Sequence, residues 1–243
     1  MVVDKKRGFV YTAVLGAAGS KWSRLMVEMN KVDGKWSGNL VKMNQFLQEE
    51  QGLQFLSTTP GLFKFYFVRN PLDRVISGYF YYFADLARAR LYLEGVAFRE
   101  LANINNLNPN KLSGITFEQY LNWVVHGATA DKHFGLQFDI IQPCHISYTL
   151  AGQLEILDIE RIVVGQYVPA LATRYMDFNG ARTPRNLTAL TEEARGLVAQ
   201  VSGATLAAFY DKFEPDYRTW NYSTPEDWWY PYSGTIIGLR EEP

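Results

Sequence analysis

The sequence predicts an α/β fold: a three-layer sandwich with a central, mostly parallel sheet and a phosphate-loop-like strand-loop-helix near its start. Three observations predict it. A short β-branched and aromatic run, RGFVYTAVL (7–15), ends in the small-residue stretch GAAGS (16–20) and leads into residues with helical spacing. A second run, LFKFYFVR (62–69), is nearly continuous in apolar character, as a parallel strand covered on both faces requires. Segments with helical spacing then alternate with further short apolar runs. A chain of 243 residues, 47% hydrophobic and 15% aromatic, suits one packed domain over 1–243.

In chain order, residues 7–15 form the first strand and Lys21 to Asn30 a helix, with a loop-rich segment from Lys31 to Pro60. The second strand, 62–69, stops at Asn70-Pro71. Asn is a good helix cap and Pro is favoured at the first helical position, so a helix is expected from about Pro71 to Arg90. Thr116 to Val125 is a short amphipathic helix. His145 to Tyr148 and Arg161 to Tyr167 are expected as strands. Pro169 to Asp177 and Glu192 to Phe213 are expected as helices, the second interrupted near Gly203. From Asp216 the tail is aromatic and irregular. Ligands of such sheets bind at the carboxyl ends of the strands, where VLGAAGSKW (14–22) and FVRNPLDR (67–74) both fall.

A formal net charge of −1 provides no global field toward nucleic acid or an anionic membrane, so a polyanion site must be a local basic pocket. The single cysteine, Cys144, excludes an internal disulfide and fits a reducing compartment. No apolar run approaches the ~18 residues of a membrane span, and MVVDKKRG is no signal peptide. The expectation is a soluble protein, cytoplasmic or a trimmed lumenal domain of a Golgi-type enzyme. Histidines at 126, 133 and 145 with one cysteine show no metal-ligand spacing, so no metal is expected.

The first loop keeps a lysine but is not a nucleotide-hydrolase phosphate loop. That pattern ends Gly-Lys-Ser/Thr, its hydroxyl on magnesium; here Ser20-Lys21-Trp22 stands instead. Arg69, at a strand end before a helix, offers a planar fork that suits a phosphate bidentately. The helix N-terminus adds N–H groups and a positive dipole end. Ser77, two turns on and roughly on the same face, can bond the same phosphate. The alternative is an Arg69–Asp73 ion pair with Ser77 packed in the helix.

The segment Phe67-Val68-Arg69-Asn70-Pro71-Leu72-Asp73-Arg74-Val75-Ile76-Ser77-Gly78-Tyr79 resembles the 3′-phosphate motif of sulfotransferases, F-V-R-[ED]-P-[FL]-x-R-[LV]-[VI]-S-[AG]-[YF]. It is most like the carbohydrate sulfotransferases of chondroitin, dermatan and HNK-1 type. HFGLQFDIIQPCHISYTLAGQLEIL (133–157) is similar to a second family stretch through His133, Gln137, Pro143, Cys144, Tyr148, Gly152, Glu155 and Leu157. YDKFEPDYRTWNYS (210–223) is similar to the closing one through Tyr210, Asp216, Tyr217, Trp220 and Tyr222. The first loop aligns through Ala18, Ser20, Trp22, Arg24, Leu25 and Met26, but the family's loop lysine falls on Gly16 and its proline on Leu15.

The resemblance implies a sulfotransferase with a nucleotide-kinase-like phosphate loop. It would move a sulfuryl group from 3′-phosphoadenylyl sulfate to a hydroxyl or amine of a carbohydrate or small-molecule acceptor, without a metal. Arg69 and Ser77 would hold the 3′-phosphate. Gly19, Ser20, Lys21, Trp22 and Arg24 would hold the 5′ side, with Lys21 standing in for the lysine absent at Gly16; Arg24 or a distant lysine is the alternative. His133 would act as general base, since an imidazole titrates near neutral pH; a structural histidine is the alternative. Glu155 is a second candidate base, or a structural carboxylate. His145 and Cys144 are expected to be packed. The aromatic run Tyr79 to Phe83 is expected to pack a helix, and Trp228, Trp229, Tyr230 and Tyr232 could stack on a flat acceptor. Two other functions remain open: an impaired nucleotide- or glycan-binding relative, and a magnesium-dependent kinase, which Trp22 disfavours.

Overall fold

The computed structural model describes residues 2–4, 8–17, 58–93, 96–111, 113–127, 133–141, 147–154, 165 and 187–222. Strands β1 (Val2–Asp4), β2 (Phe9–Thr12), β3 (Phe63–Val68) and β4 (Leu150–Gln153) form one sheet in that order. β2 and β4 run parallel to the central β3, with Tyr11 opposite Phe65 and Phe67 opposite Gly152. β1 pairs antiparallel with β2 at the edge. The sheet is therefore mostly parallel, within a mixed α/β fold.

Alternation along β2 and β3 explains their nearly continuous apolar character. Phe9, Tyr11, Phe63, Phe65 and Phe67 share one face, where Phe65 packs 5.2 Å from both Tyr11 and Phe63, ring centre to ring centre. Tyr66 and Val68 face the other way and cluster with Val14, Ala17, Ile141 and Trp220. Trp220 Nε1 donates to the Tyr66 hydroxyl at 3.1 Å. Burial on both faces selects for apolar side chains at most positions, with half-buried Lys64 and buried Thr12 the exceptions.

The third strand lies further along the chain than expected. It is Leu150–Gln153, and Tyr148 precedes it; His145 lies outside the described residues. Ala151 and Gly152 are poor strand formers, so the sequence signal there is weak. Pairing decides instead: Thr149 N donates to Lys64 O at 2.7 Å, and the ladder to β3 starts one residue on. Of 161–167 only Gly165 is described, in helical conformation, and the helices expected over Lys21 to Asn30 and Pro169 to Asp177 lie outside the described residues.

Helix α1 (Pro71–Gly78) starts as the sequence implies, with Pro71 in its first turn and the Asn70 carboxamide oxygen accepting from Leu72 N at 3.0 Å and Asp73 N at 3.4 Å. It does not run to Arg90. Tyr79–Phe83 is a π-helical turn, closed by Ala84 N donating to Tyr79 O at 2.9 Å, and α2 (Leu86–Leu93) follows after a bend. Five consecutive aromatics cannot share one helix stripe. The widened turn puts Phe83 in the core and lets the Tyr79 hydroxyl reach Ile115 O at 2.8 Å, while Tyr81 stays 66% exposed.

Helices α3 (Val96–Ile104), α4 (Phe117–His126), α5 (Gln137–Ile141), α6 (Leu187–Val198) and α7 (Gly203–Thr219) complete the described elements. Thr116 and Gln119 form a reciprocal capping box on α4. Ser202 caps α7, which accounts for the break near Gly203. α7 runs along α4 and ties to it: Thr205 bonds Asn122 at 3.2 Å, and Lys212 Nζ donates to Val125 O at 3.0 Å. The tail is not irregular from Asp216, as α7 continues to Thr219 despite Pro215. Buried Asp216, Tyr217 and Trp220 hold that last turn in place. The main core is helical and aromatic, with Val75, Phe83, Tyr120, Trp123, Phe134 and Phe209 all nearly inaccessible.

Candidate functional site

Arg69 follows the last residue of β3, and its main chain is clamped by one side chain. Arg69 N donates to Gln137 Oε1 at 2.9 Å, and Gln137 Nε2 donates back to Arg69 O at 2.8 Å. Gln137 is fully buried and is itself held by Asp216. The Asp216 carboxylate accepts from Gln137 N and Phe138 N, both at 2.9 Å, so it caps the start of α5. Burial raises the Asp216 carboxyl above its ordinary value, against the opposing pull of the two backbone N–H groups and of Arg74. Gln137 and Asp216 matched the family stretches, but their 79-residue separation concealed this pairing.

Among the described residues neither the Arg69 guanidinium nor the Ser77 hydroxyl has a side-chain partner, so the Arg69–Asp73 ion pair does not form. Both residues are half-buried, on elements fixed by their backbones. The helix contributes less than expected: the Asn70 side chain already occupies the Leu72 and Asp73 N–H groups. An anion beside Arg69 must therefore be held by side chains, chiefly the guanidinium.

Arg74 works in the opposite way. It is 1% exposed, and its Nε donates to Leu15 O at 2.8 Å while Nη1 donates to Gly135 O at 2.7 Å. One buried arginine thus joins the first loop, α1 and the segment that carries His133. The first loop begins with a turn closed by Ala17 N to Val14 O at 3.1 Å, with Gly16 at φ +80. A Cβ at Gly16 would lie 2.9 Å from Arg74 Cγ. The position aligned with the family lysine is therefore closed to any side chain, by backbone conformation and by contact. Gly16→Lys is expected to lower stability by about 2–3 kcal/mol, from left-handed strain and displacement of Arg74. A thermal melt checks this, and turnover should not rise. Gly19, Ser20, Lys21, Trp22 and Arg24 lie outside the described residues.

His133 sits among aromatics. The Tyr92 hydroxyl is 2.9 Å from its Nδ1, and the rings of Tyr82 and Phe134 lie 5.6 and 6.1 Å from it, centre to centre. Phe134 in turn lies against Gly78, where a Cβ would come within 2.7 Å of Phe134 Cε1. Close approach at Gly78 thus seats the 133–137 segment on α1. Tyr82 and Tyr92 had no motif to announce them; the π-turn brings Tyr82 to within 3.8 Å of Tyr92. The Tyr79–Phe83 run does pack a core, with Tyr81 outside it.

His126 is exposed at the end of α4. Cys144, His145, Glu155, Trp228, Trp229, Tyr230 and Tyr232 lie outside the described residues. Among the described residues no three of His, Cys, Asp and Glu cluster to hold a metal ion, and no helix is long and apolar enough to cross a membrane. Arg69, the Leu15–Gly16 turn and the 133–137 segment are thus linked at the carboxyl ends of β2 and β3, by Gln137 and Arg74.

The model of the sulfotransferase family matches residues 1–223. Carbohydrate sulfotransferase 11 of Rattus norvegicus is 25% identical over 248 residues, covering 93% of this chain and 67% of the relative, and the Mus musculus protein gives the same figures. Carbohydrate sulfotransferase 14 of Danio rerio is 26% identical over 188 residues, covering 69% of this chain and 49% of the relative. No solved structure matches the chain significantly.

Proposed function

We propose, since the chain belongs to the sulfotransferase family, that it transfers a sulfuryl group in line from 3′-phosphoadenylyl sulfate to a hydroxyl or amine of a carbohydrate or small-molecule acceptor. The observation that carries the donor site is Arg69: a guanidinium without a side-chain partner among the described residues, on a backbone that Gln137 holds rigid. That chemistry fits a 3′-phosphate, which Arg69 and Ser77 would hold together. The bound donor supplies the activated sulfuryl group. Gly19, Ser20, Lys21, Trp22 and Arg24 are assigned to its 5′ side, with Lys21 countering charge on the leaving oxygen. His133 is assigned the acceptor's proton. The names of the relatives favour a sugar hydroxyl as acceptor. We assign one such domain to the whole chain.

Thermal unfolding with adenosine 3′,5′-bisphosphate, beside ATP with magnesium, tests this reading. At a hundredfold excess over the dissociation constant, binding stabilises by ~2.7 kcal/mol, or roughly 5–10 °C for a chain of this size. The bisphosphate alone should give that shift. A shift with ATP and magnesium alone would replace the proposal with a kinase, and no shift with either would leave the chain without a donor site.

A further inference from the structure

We infer that Gln137, aligned by Asp216, is the positioning residue of Arg69: its carboxamide sets the main chain from which the guanidinium grips the donor's 3′-phosphate. That role rests on the reading of Arg69 as the grip and adds the two buried groups that aim it. The geometry is a relay of hydrogen bonds across three distant parts of the chain. Arg69 N donates to Gln137 Oε1 at 2.9 Å, and Gln137 Nε2 donates to Arg69 O at 2.8 Å and to Asp216 Oδ2 at 3.3 Å. Gln137 N donates to the same Oδ2 at 2.9 Å. Gln137 and Asp216 are both fully buried.

Arg69 needs such a partner because of where it stands. The ladder of β3 with β2 ends at Tyr66 and the one with β4 ends at Val68, so residue 69 lies beyond both. Helix α1 starts at Pro71, and its first main-chain bond, Arg74 N to Asn70 O, begins one residue later than Arg69. Among the described residues, then, neither strand nor helix pairs the two polar main-chain groups of Arg69. Gln137 pairs both, in place of the C=O and N–H groups that a neighbouring strand would present. Its amide has one usable orientation, because Oε1 faces a donor while Nε2 faces two acceptors. Asp216 holds it in that orientation and also fixes the main chain of Gln137 itself.

Pinning both groups fixes the peptide planes on either side of the Arg69 Cα, and with them the direction in which the side chain leaves. A long side chain amplifies an error at its root, and a binding group must be held within about 0.5 Å and 10–20° of its productive geometry. An ion pair to a carboxylate could also hold the fork, but it would compete with the phosphate for the same N–H groups. Aiming the arginine through its main chain avoids that competition. The guanidinium, without a side-chain partner among the described residues, keeps its donors for the ligand.

A double-mutant cycle on binding of adenosine 3′,5′-bisphosphate tests the role. Calorimetric titration gives the dissociation constants of wild type, Gln137→Met, Arg69→Ala and the double variant, and thermal melts without ligand give their stabilities. Methionine keeps the length and volume of Gln137 and removes its polar groups. Gln137→Met should weaken binding about tenfold, the lower end of what outer partners contribute at metal sites. In the Arg69→Ala background it should weaken binding no further, because no guanidinium is left to aim. Its fall in Tm should be the same in both backgrounds, since alanine at 69 keeps the main chain that Gln137 holds. A merely structural Gln137 gives the same loss of affinity in both backgrounds, and that result overturns the inference, as does wild-type affinity in Gln137→Met. Wild-type affinity in Arg69→Ala would instead reject the underlying reading of Arg69, and the role of Gln137 with it. If Gln137→Met does not fold, Gln137→Asn serves in the same cycle, because it keeps the carboxamide and withdraws it by one carbon. Loss of the fold in both variants makes Gln137 a core residue and overturns the inference as well.

Discussion

Asp216→Ala should be among the most destabilising single substitutions in this chain, lowering the free energy of unfolding by about 2–5 kcal/mol. Asp216 is fully buried, and its two oxygens accept the Gln137 and Phe138 N–H groups at 2.9 Å. Alanine leaves one buried and one part-buried donor unsatisfied, each worth about 1–3 kcal/mol. It also relieves the burial of a charge, which sets the lower end of that range. The midpoint should drop by roughly 5–15 °C. The pH dependence separates the two contributions. The folded-state pKa is raised, so the folded protein holds the proton more tightly than the unfolded chain does. The ionisation contribution is fully present below the unfolded value of 3.8 and is lost as pH rises through the folded value. The deficit of Asp216→Ala relative to wild type should therefore be larger near about pH 4 than at neutrality. Denaturant titrations at both pH values measure it, and a deficit that grows toward neutrality would contradict the buried, raised carboxyl.

The same residue shows why the sequence revealed some of this site and concealed the rest. β2, β3, the start of α1 and α4 were legible because each carries a local signal: two-sided apolar runs, Asn-Pro at a helix start, amphipathic spacing. The end of α1 was not. The aromatics at 79–83 have ordinary helical character one by one, and only packing against Ile115, Tyr120 and Phe134 widens the turn. β4 was misplaced because LAGQ has little strand preference and is recruited by the edge of β3. Within the candidate site, Arg69 and His133 stand out in the sequence by residue type and motif. The clamp of Gln137 on Arg69, the Arg74 tie to Leu15 and the Tyr92 contact to His133 span 68, 59 and 41 residues. Such contacts follow from topology, which no window of sequence contains. Gly16 is the instructive case. In sequence it is a missing lysine; in the fold it is a turn residue pressed on Arg74, where no lysine fits.

Arg69→Ala should weaken binding of adenosine 3′,5′-bisphosphate by about a hundredfold while leaving the fold intact. A guanidinium that grips a phosphate with two charge-assisted bonds contributes about 3 kcal/mol if each is worth the lower end of its usual range, and 2.8 kcal/mol is two decades in dissociation constant. Stability should change by less than about 0.5 kcal/mol, because the side chain has no partner among the described residues to lose. That separation distinguishes Arg69 from Arg74, five residues on, whose buried guanidinium is committed to Leu15 and Gly135. Arg69→Lys should recover only part of the affinity, since an ammonium supplies charge without the planar fork. Calorimetric titration of the three proteins gives the constants, and a thermal melt without ligand gives the stabilities. Wild-type affinity in Arg69→Ala would move the 3′-phosphate elsewhere. A variant that loses affinity and stability together would show that Arg69 supports the fold, and the case for a donor site at the end of β3 would then rest on Ser77 alone.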